Sequence, residues 1–222
     1  VFHVKAEKEI EACSSYTVMK PQPVALPHGV NTYLWVKRGI DLVFGLVGMV
    51  LSAPVILFFS ILIVLETPGS PFYHQERVGK AGKAFRLVKL RSMRKDAEHA
   101  GAKWAEANDP RVTRVGRFIR KTRIDELPQF LSVVKGDMSI IGPRPERPMF
   151  TEKFEREIPG FKNRLLVKPG LTGLAQVSGG YDLSPKEKLV HDLNYVRHLS
   201  PSLELTIIVR TIKVLFTGEG AR

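Results

Sequence analysis

Residues 42–65, LVFGLVGMVLSAPVILFFSILIVL, carry no charged side chain. A run of this length and character is what a helix needs to enter or cross a lipid bilayer, and it constrains the rest of the chain. Two details complicate a simple crossing. Pro54 stands mid-run, where a helix loses one backbone hydrogen bond and meets a ring clash, so a bend is expected there. Basic residues also flank the run on both sides, with Lys37 and Arg38 before it and Arg77, Lys80, Lys83 and Arg86 after it. Positive charge favours the cytoplasmic face. If both flanks lie on that face, residues 33–66 form a re-entrant helix–break–helix around Ala53 and Pro54. A kinked transmembrane helix fits the run equally well, and a buried helix of a soluble protein is a third arrangement. The hairpin makes the further demand that backbone polar groups at its bend find partners.

The chain of 222 residues has room for one substantial domain beside this segment. Its net charge of +12 points to an anionic partner: lipid headgroups, a phosphorylated substrate or nucleic acid. On an anionic leaflet each nearby basic residue contributes about 1 kcal/mol. The single cysteine, Cys13, excludes an internal disulfide and a multi-cysteine metal site, which agrees with a reducing compartment. The first residue is Val rather than Met, leaving open a longer parent protein.

Residues 1–32, with KPQPVALPHG, read as an extension or linker. After the apolar run, ETPGSP marks a return to water, and FYHQERVGKAGKAFRLVKLRSM predicts two strands joined by a glycine-containing turn. Phe85, Leu87 and Lys89 alternate with Arg86 and Val88. Residues 94–110 suggest a polar helix. In RVTRVGRFIRKTR, Val112, Val115, Phe118 and Ile119 follow helical spacing among six basic residues, which suits an amphipathic helix at a membrane interface or an ordinary solvated helix. No base-reading motif or aromatic stacking platform accompanies that charge, so nucleic acid is not expected. In DELPQFLSVVKGDMS, Leu127, Phe130, Leu131 and Val134 form an apolar stripe, predicting a helix that begins near Asp125 with Pro128 in its first turn. The tail SPSLELTIIVRTIKVLFTG predicts an apolar helix of about four turns, which leaves a homodimer open.

Asp125 and Glu126 are adjacent carboxylates in a basic neighbourhood, where opposite charge keeps carboxylates ionised. An ionised aspartate can attack phosphorus or bind Mg²⁺. Acidic residues are also simply favoured at helix starts. In GPRP, two prolines restrict the backbone around Arg144 and present a fork suited to phosphate oxygens, or else merely stiffen a surface turn. Arg120, Lys89 and Arg91 are further cations able to neutralise a diphosphate. GxxxxGK[ST], HExxH and a strand-linked GxGxxG are absent.

The ordered set of a proline-centred apolar segment, KLRSM, RKTRIDELPQFLSVVKGDMSIIGPRPERP, VKPGLTGLAQVSG and a basic apolar C-terminal helix resembles the bacterial sugar transferases, the monotopic phosphoglycosyl transferases. The resemblance covers roughly residues 33–217. It implies a mixed α/β, helix-dominated fold: an extension at 1–32, a re-entrant membrane helix–break–helix at 33–66, and a cytosolic catalytic domain with amphipathic interfacial helices at 67–222. The family's Asp-Glu dyad falls on Asp125 and Glu126, which the resemblance makes catalytic and Mg²⁺-binding, and its phosphate-binding arginine falls on Arg144. Arg120, Lys89 and Arg91 fall on basic positions near the site. Family members often carry Ser-Pro at the membrane break, whereas this chain has Ser52-Ala53-Pro54. The implied reaction moves a sugar-1-phosphate from a UDP-sugar to polyprenyl (undecaprenyl) phosphate, releasing UMP through an aspartyl intermediate. GPRPERP favours glucose or galactose as the sugar. The implied setting is the cytoplasmic face of the bacterial inner membrane, against anionic lipids. A rival without catalysis, a basic membrane tether recruiting anionic partners, accounts for the charge and the apolar run but not for the Asp-Glu and PRP cluster.

Overall fold

The computed structural model describes residues 24–97 and 109–217. Most of the extension at 1–32 and of the helix expected at 94–110 lies outside these residues. Helix α1 (Val30–Glu66) is followed by an antiparallel hairpin of β1 (Phe72–Val78) and β2 (Ala84–Leu90). Helix α2 (Arg114–Lys121), a 3-10 helix (Ile124–Gln129) and helix α3 (Phe130–Lys135) come next. Strand β3 (Ser139–Ile141) pairs in parallel with β4 (Gly170–Thr172), and between them lie helix α4 (Pro148–Glu157) and a 3-10 turn (Phe161–Leu166). Helices α5 (Leu174–Ser178), α6 (Pro185–Arg197) and α7 (Pro201–Thr217) finish the described chain. The expected helix-dominated α/β class, the hairpin and the C-terminal helix are all present.

Helical structure in α1 is not interrupted at Pro54, where the helix–break–helix places its break. It runs through Pro54 as one 37-residue helix. A proline removes a single ladder bond, and the turns on either side supply the rest. Ser52, displaced by one residue from the family's usual place, donates to Met49 O at 3.2 Å instead of marking a break. The helix also begins three residues before the expected boundary, and Val24 and Leu26 ahead of it already pack on the main core.

The folded domain holds α1 along its whole length. Near the N-terminal end, Arg38 donates to Val133 O and Val134 O at 2.7 and 2.8 Å, satisfying carbonyls at the C-terminal end of α3. Asp41 accepts from Ser139 Oγ and Ile140 N on β3. Lys37 pairs with Glu204 of α7 at 2.7 Å. Gly45 and Gly48 leave room for Val133, Val134 and Phe130 of α3: a Cβ at Gly48 would lie 2.6 Å from the Phe130 ring. Further along, Phe59 stacks on Phe118 of α2, and Ile63 is buried with Leu90 and Ile119. At the C-terminal end, Glu66 accepts from Arg114 N and Val115 N, capping α2 together with Thr113. The flanking cations Lys37 and Arg38 are therefore spent on the domain and not offered to headgroups.

The opposite face of α1 is apolar and exposed, including Trp35, Val50, Leu51, Leu57, Phe58 and Leu65. It is the one described helix long and apolar enough to cross a membrane.

The stripe expected in DELPQFLSVV is only half right. Phe130 and Val134 do pack on α1, but Leu131 is exposed and Val133 is the buried core residue. The helix does not start at Asp125: a 3-10 turn precedes α3 and shifts the phase of every later side chain. Val112 likewise lies outside α2, in a bridge to Met93. The main core joins Val30 of α1, Ile141 of β3, Val167, Leu174 of α5, Tyr195, Val196 and Leu199 in and after α6, and Ile207 of α7.

Candidate active site

The acidic pair is positioned by an unusual turn. Arg123 adopts a left-handed conformation (φ 58°, ψ 15°) between α2 and the 3-10 helix. A non-glycine residue there costs of order 1–3 kcal/mol, so the surroundings must enforce it. The turn reverses the chain and directs Asp125 inward, leaving it 8% exposed.

Lys89 reaches the pair by strand alternation. Phe85, Leu87 and Lys89 share one face of β2; Leu87 is buried in the core, and Lys89 Nζ lies 3.2 Å from Glu126 Oε1. Arg144 approaches from the other side. Its Nη2 also donates to Glu126 Oε1, and its Nη1 lies 3.4 Å from Oε2.

The GPRP loop can come this close because glycines line its path. Gly142 N donates to Thr172 O at 2.9 Å, and a Cβ on Gly142 would lie 2.3 Å from Lys168 O. A Cβ on Gly170 would lie 2.1 Å from Gly142 N. The glycines of GPRP and VKPGLTG are thus a single contact between two motifs distant in sequence.

The two neighbouring carboxylates have opposite electrostatics. Burial alone would raise Glu126, but Arg144 and Lys89 outweigh it and hold the group well below the usual carboxylate range. Burial pushes Asp125 up to about 6; Lys89 opposes the shift, the charge on Glu126 adds to it, and Arg144 and Arg120 oppose it more weakly. Among the described residues Asp125 makes no hydrogen bond or ion pair. One carboxylate is therefore fully engaged, and the other stands beside it in the same cationic field with its oxygens uncommitted.

Five of the six expected polar residues are brought together: Asp125, Glu126, Lys89, Arg144 and, through its field on Asp125, Arg120. Arg91 is not. Its guanidinium donates to Thr67 O, Thr67 Oγ1 and Pro68 O, where it ties down the chain leaving α1. Strand alternation would place Arg91 on the face of Lys89, two residues before it, but Arg91 lies past the end of β2 and turns to the end of α1 instead. Sequence reasoning also missed Arg77, Arg164 and Asp192, which back the GPRP loop. Arg77 lay in the expected first strand, but nothing in its spacing announced its partner.

A divalent ion is compatible with this donor set in a limited way. Mg²⁺ is usually held by one or two carboxylates together with substrate phosphates and waters. No group of three or more metal-ligating side chains occurs among the described residues. With Glu126 tied to two cations, Asp125 is the carboxylate with oxygens to offer.

Residues 32–218 match the family model described as bacterial sugar transferase. The chain is 57% identical over 162 residues to a Bacillus subtilis protein named putative undecaprenyl-phosphate N-acetylgalactosaminyl 1-phosphate transferase, covering 73% of this chain and 90% of that one. It is 46% identical over 193 residues to the Aeromonas hydrophila UDP-N-acetylgalactosamine-undecaprenyl-phosphate N-acetylgalactosaminephosphotransferase, covering 86% of this chain but 46% of that longer protein. An Escherichia coli UDP-glucose:undecaprenyl-phosphate glucose-1-phosphate transferase is 38% identical over 198 residues, covering 87% of this chain and 42% of that one.

Proposed function

The chain belongs to the bacterial sugar transferase family, and from that premise we propose that it transfers a sugar-1-phosphate from a UDP-sugar to undecaprenyl phosphate, releasing UMP. The observation that carries this reading is the unequal acidic pair: a bound, ionised Glu126 beside a buried Asp125 without a partner among the described residues, inside a cluster of Lys89, Arg120 and Arg144. Such a cluster fits a diphosphate, and phosphoryl transfer depends mainly on positioning and charge neutralisation.

Asp125 is the nucleophile. A carboxylate oxygen of Asp125 attacks the β-phosphorus of the donor. The bond from that phosphorus to the bridging oxygen breaks, and the oxygen leaves with the electron pair on UMP. The sugar phosphate stays on Asp125 as an acyl phosphate. An oxygen of undecaprenyl phosphate then attacks the same phosphorus, Asp125 departs as a carboxylate, and a diphosphate-linked sugar lipid results.

Arg144 and Lys89 take up negative charge on the non-bridging oxygens. Glu126 holds both cations in register. Mg²⁺, held by Asp125 and the donor phosphates, would supply further charge neutralisation.

Two features support a one-sided seat in the inner membrane with the catalytic domain in the cytoplasm. Both ends of α1 dock on one folded domain, which cannot lie on both sides of a bilayer. Between those anchors Ser52 is buried and Ile56 packs on the Ile63, Leu90 and Ile119 cluster, so the domain stays against one side of the helix throughout. Phe118 beside Phe59, and Leu205, Val209 and Ile212 of α7, add exposed apolar surface. Arg114, Arg117 and Lys121 on the exposed side of α2 suit anionic headgroups.

The names of the Bacillus and Aeromonas relatives favour UDP-N-acetylgalactosamine as donor over the glucose or galactose expected from GPRPERP. Intact mass spectrometry of the purified full chain mixed with Mg²⁺ and each UDP-sugar alone tests donor and intermediate together. The expected result is an added N-acetylhexosamine phosphate, discharged on adding polyprenyl phosphate. If no UDP-sugar gives an adduct and none yields UMP with lipid acceptor present, the proposal fails.

A further inference from the structure

Arg144 stands on a stretch without regular structure between Ile141 and Pro148, so no local ladder fixes its direction. Four consecutive carbonyls of that stretch are nevertheless each taken by a donor from elsewhere. Pro143 O accepts from Gly170 N at 3.0 Å and Glu146 O from Val78 N at 2.9 Å. Arg164 Nη2 donates to Arg144 O, and Arg77 Nη1 to Pro145 O, both at 2.8 Å.

The Arg164 contact is the one that bears on Arg144 itself. Its side chain is 4% exposed, and its Nη2 lies 2.7 Å from Oδ2 of Asp192 on α6, which is 1% exposed. The ring of Phe161 lies 4.9 Å from the guanidinium carbon. A buried ion pair of this kind is weak evidence for stability, because desolvation offsets much of the attraction and an apolar pair often serves as well. Its distinct contribution is geometric: a planar guanidinium held beside one carboxylate by charge presents a donor to the carbonyl of Arg144.

We propose that Arg164, held by Asp192, is a positioning residue for Arg144, so that helix α6 determines where the PRP arginine meets Glu126 and the donor diphosphate. The inference rests on the reading of Arg144 as the grip on that diphosphate. It gives a task to two buried charges that lie outside the catalytic motifs.

The decisive variant replaces the pair together, Arg164→Met/Asp192→Leu, in the full chain in lipid nanodiscs. Apolar side chains of similar volume keep the interior filled and remove both charges at once. The double variant is expected to unfold as cooperatively as wild type yet release UMP about 100-fold more slowly, the cost of a displacement of about 1 Å at a reacting centre. Hydrogen exchange at the Val78 and Gly170 amides, which hold the loop on either side, is expected to speed up about tenfold or more, while amides elsewhere in the β1–β2 pairing stay protected. UMP release within about twofold of wild type, with both amides as protected as before, overturns the proposal. If the double variant does not fold, Asp192→Asn keeps the shape and an acceptor and is read the same way, with about tenfold slower release expected; unchanged release and unchanged exchange again overturn it. A wild-type protein that releases no UMP sinks the proposed function instead, and exchange at the two amides still decides whether Arg164 and Asp192 hold the loop.

Discussion

Two buried aspartates, Asp125 at the catalytic turn and Asp192 on α6, are both pushed up to about 6 by burial, yet they sit in opposite circumstances. Asp192 is paired with Arg164 away from solvent, with Glu146 and Lys188 acting on it in opposite directions. Asp125 lies among three cations, but its neighbour Glu126 holds the two nearest. The difference separates a carboxylate committed to geometry from one left available for chemistry. Burial and pKa alone would not have told them apart; the inventory of partners does.

Removing Asp125 breaks the comparison most directly. Asp125→Asn keeps the shape and is expected to lower UMP release by about 10⁴-fold or more. Turnover at the normal rate in a coupled UMP assay would move the nucleophile elsewhere. The same variant sharpens the comparison from the stability side. The raised pKa of Asp125 means that the folded state holds its proton more tightly than the unfolded chain between about 3.8 and about 6. Its contribution to stability is therefore present in full at low pH and lost as pH rises through about 6. At pH 7, Asp125→Asn is expected to be more stable than wild type by about 1–3 kcal/mol, with the advantage vanishing toward pH 4, as followed by urea unfolding across that range. A variant no more stable at pH 7 than at pH 4, relative to wild type, would mean that Asp125 is not held against its own charge.

Arg144→Ala is expected to cost about 10²–10³-fold in kcat, the usual scale for losing one preorganised charge partner. The fold should persist, because the loop is held by its backbone carbonyls and not by this side chain. Unchanged kinetics would return Arg144 to an ordinary surface turn. A milder test uses pH alone. Release of UMP should rise as pH increases through about 6 and level off above it, following ionisation of the nucleophile. A rate independent of pH between 5 and 8, with chemistry rate-limiting, contradicts that role.

The smallest effect on chemistry is expected at Arg91. Arg91→Ala removes the bonds to Thr67 and Pro68 and should lower stability by about 1–3 kcal/mol, with KM for the UDP-sugar unchanged. Lys89→Ala, on the neighbouring strand position, should raise KM or lower kcat instead. If the two variants weaken donor binding alike, Arg91 touches the substrate after all.

The sequence by itself determined the apolar run, the hairpin, the C-terminal helix and the acidic pair beside PRP. All are local: a charge-free stretch, an alternation of period two, or residues adjacent in the chain. Even Lys89 was legible, because strand alternation put it on the face of Leu87. What only the tertiary structure decided was every relation between distant segments. The 3-10 turn at Ile124–Gln129 shifted a helical phase that no periodicity revealed, so Val133 and not Leu131 entered the core. Arg91 turned to the end of α1, and Lys37 and Arg38 turned inward to the domain, because their partners lie far along the chain. The helix expected to break at Pro54 stayed whole, since one missing hydrogen bond is small beside the contacts holding the helix at both ends. Which of two adjacent carboxylates is tied and which is free depended on where a strand lysine and a loop arginine arrived in space, and pairing of that kind leaves no period or spacing in a sequence.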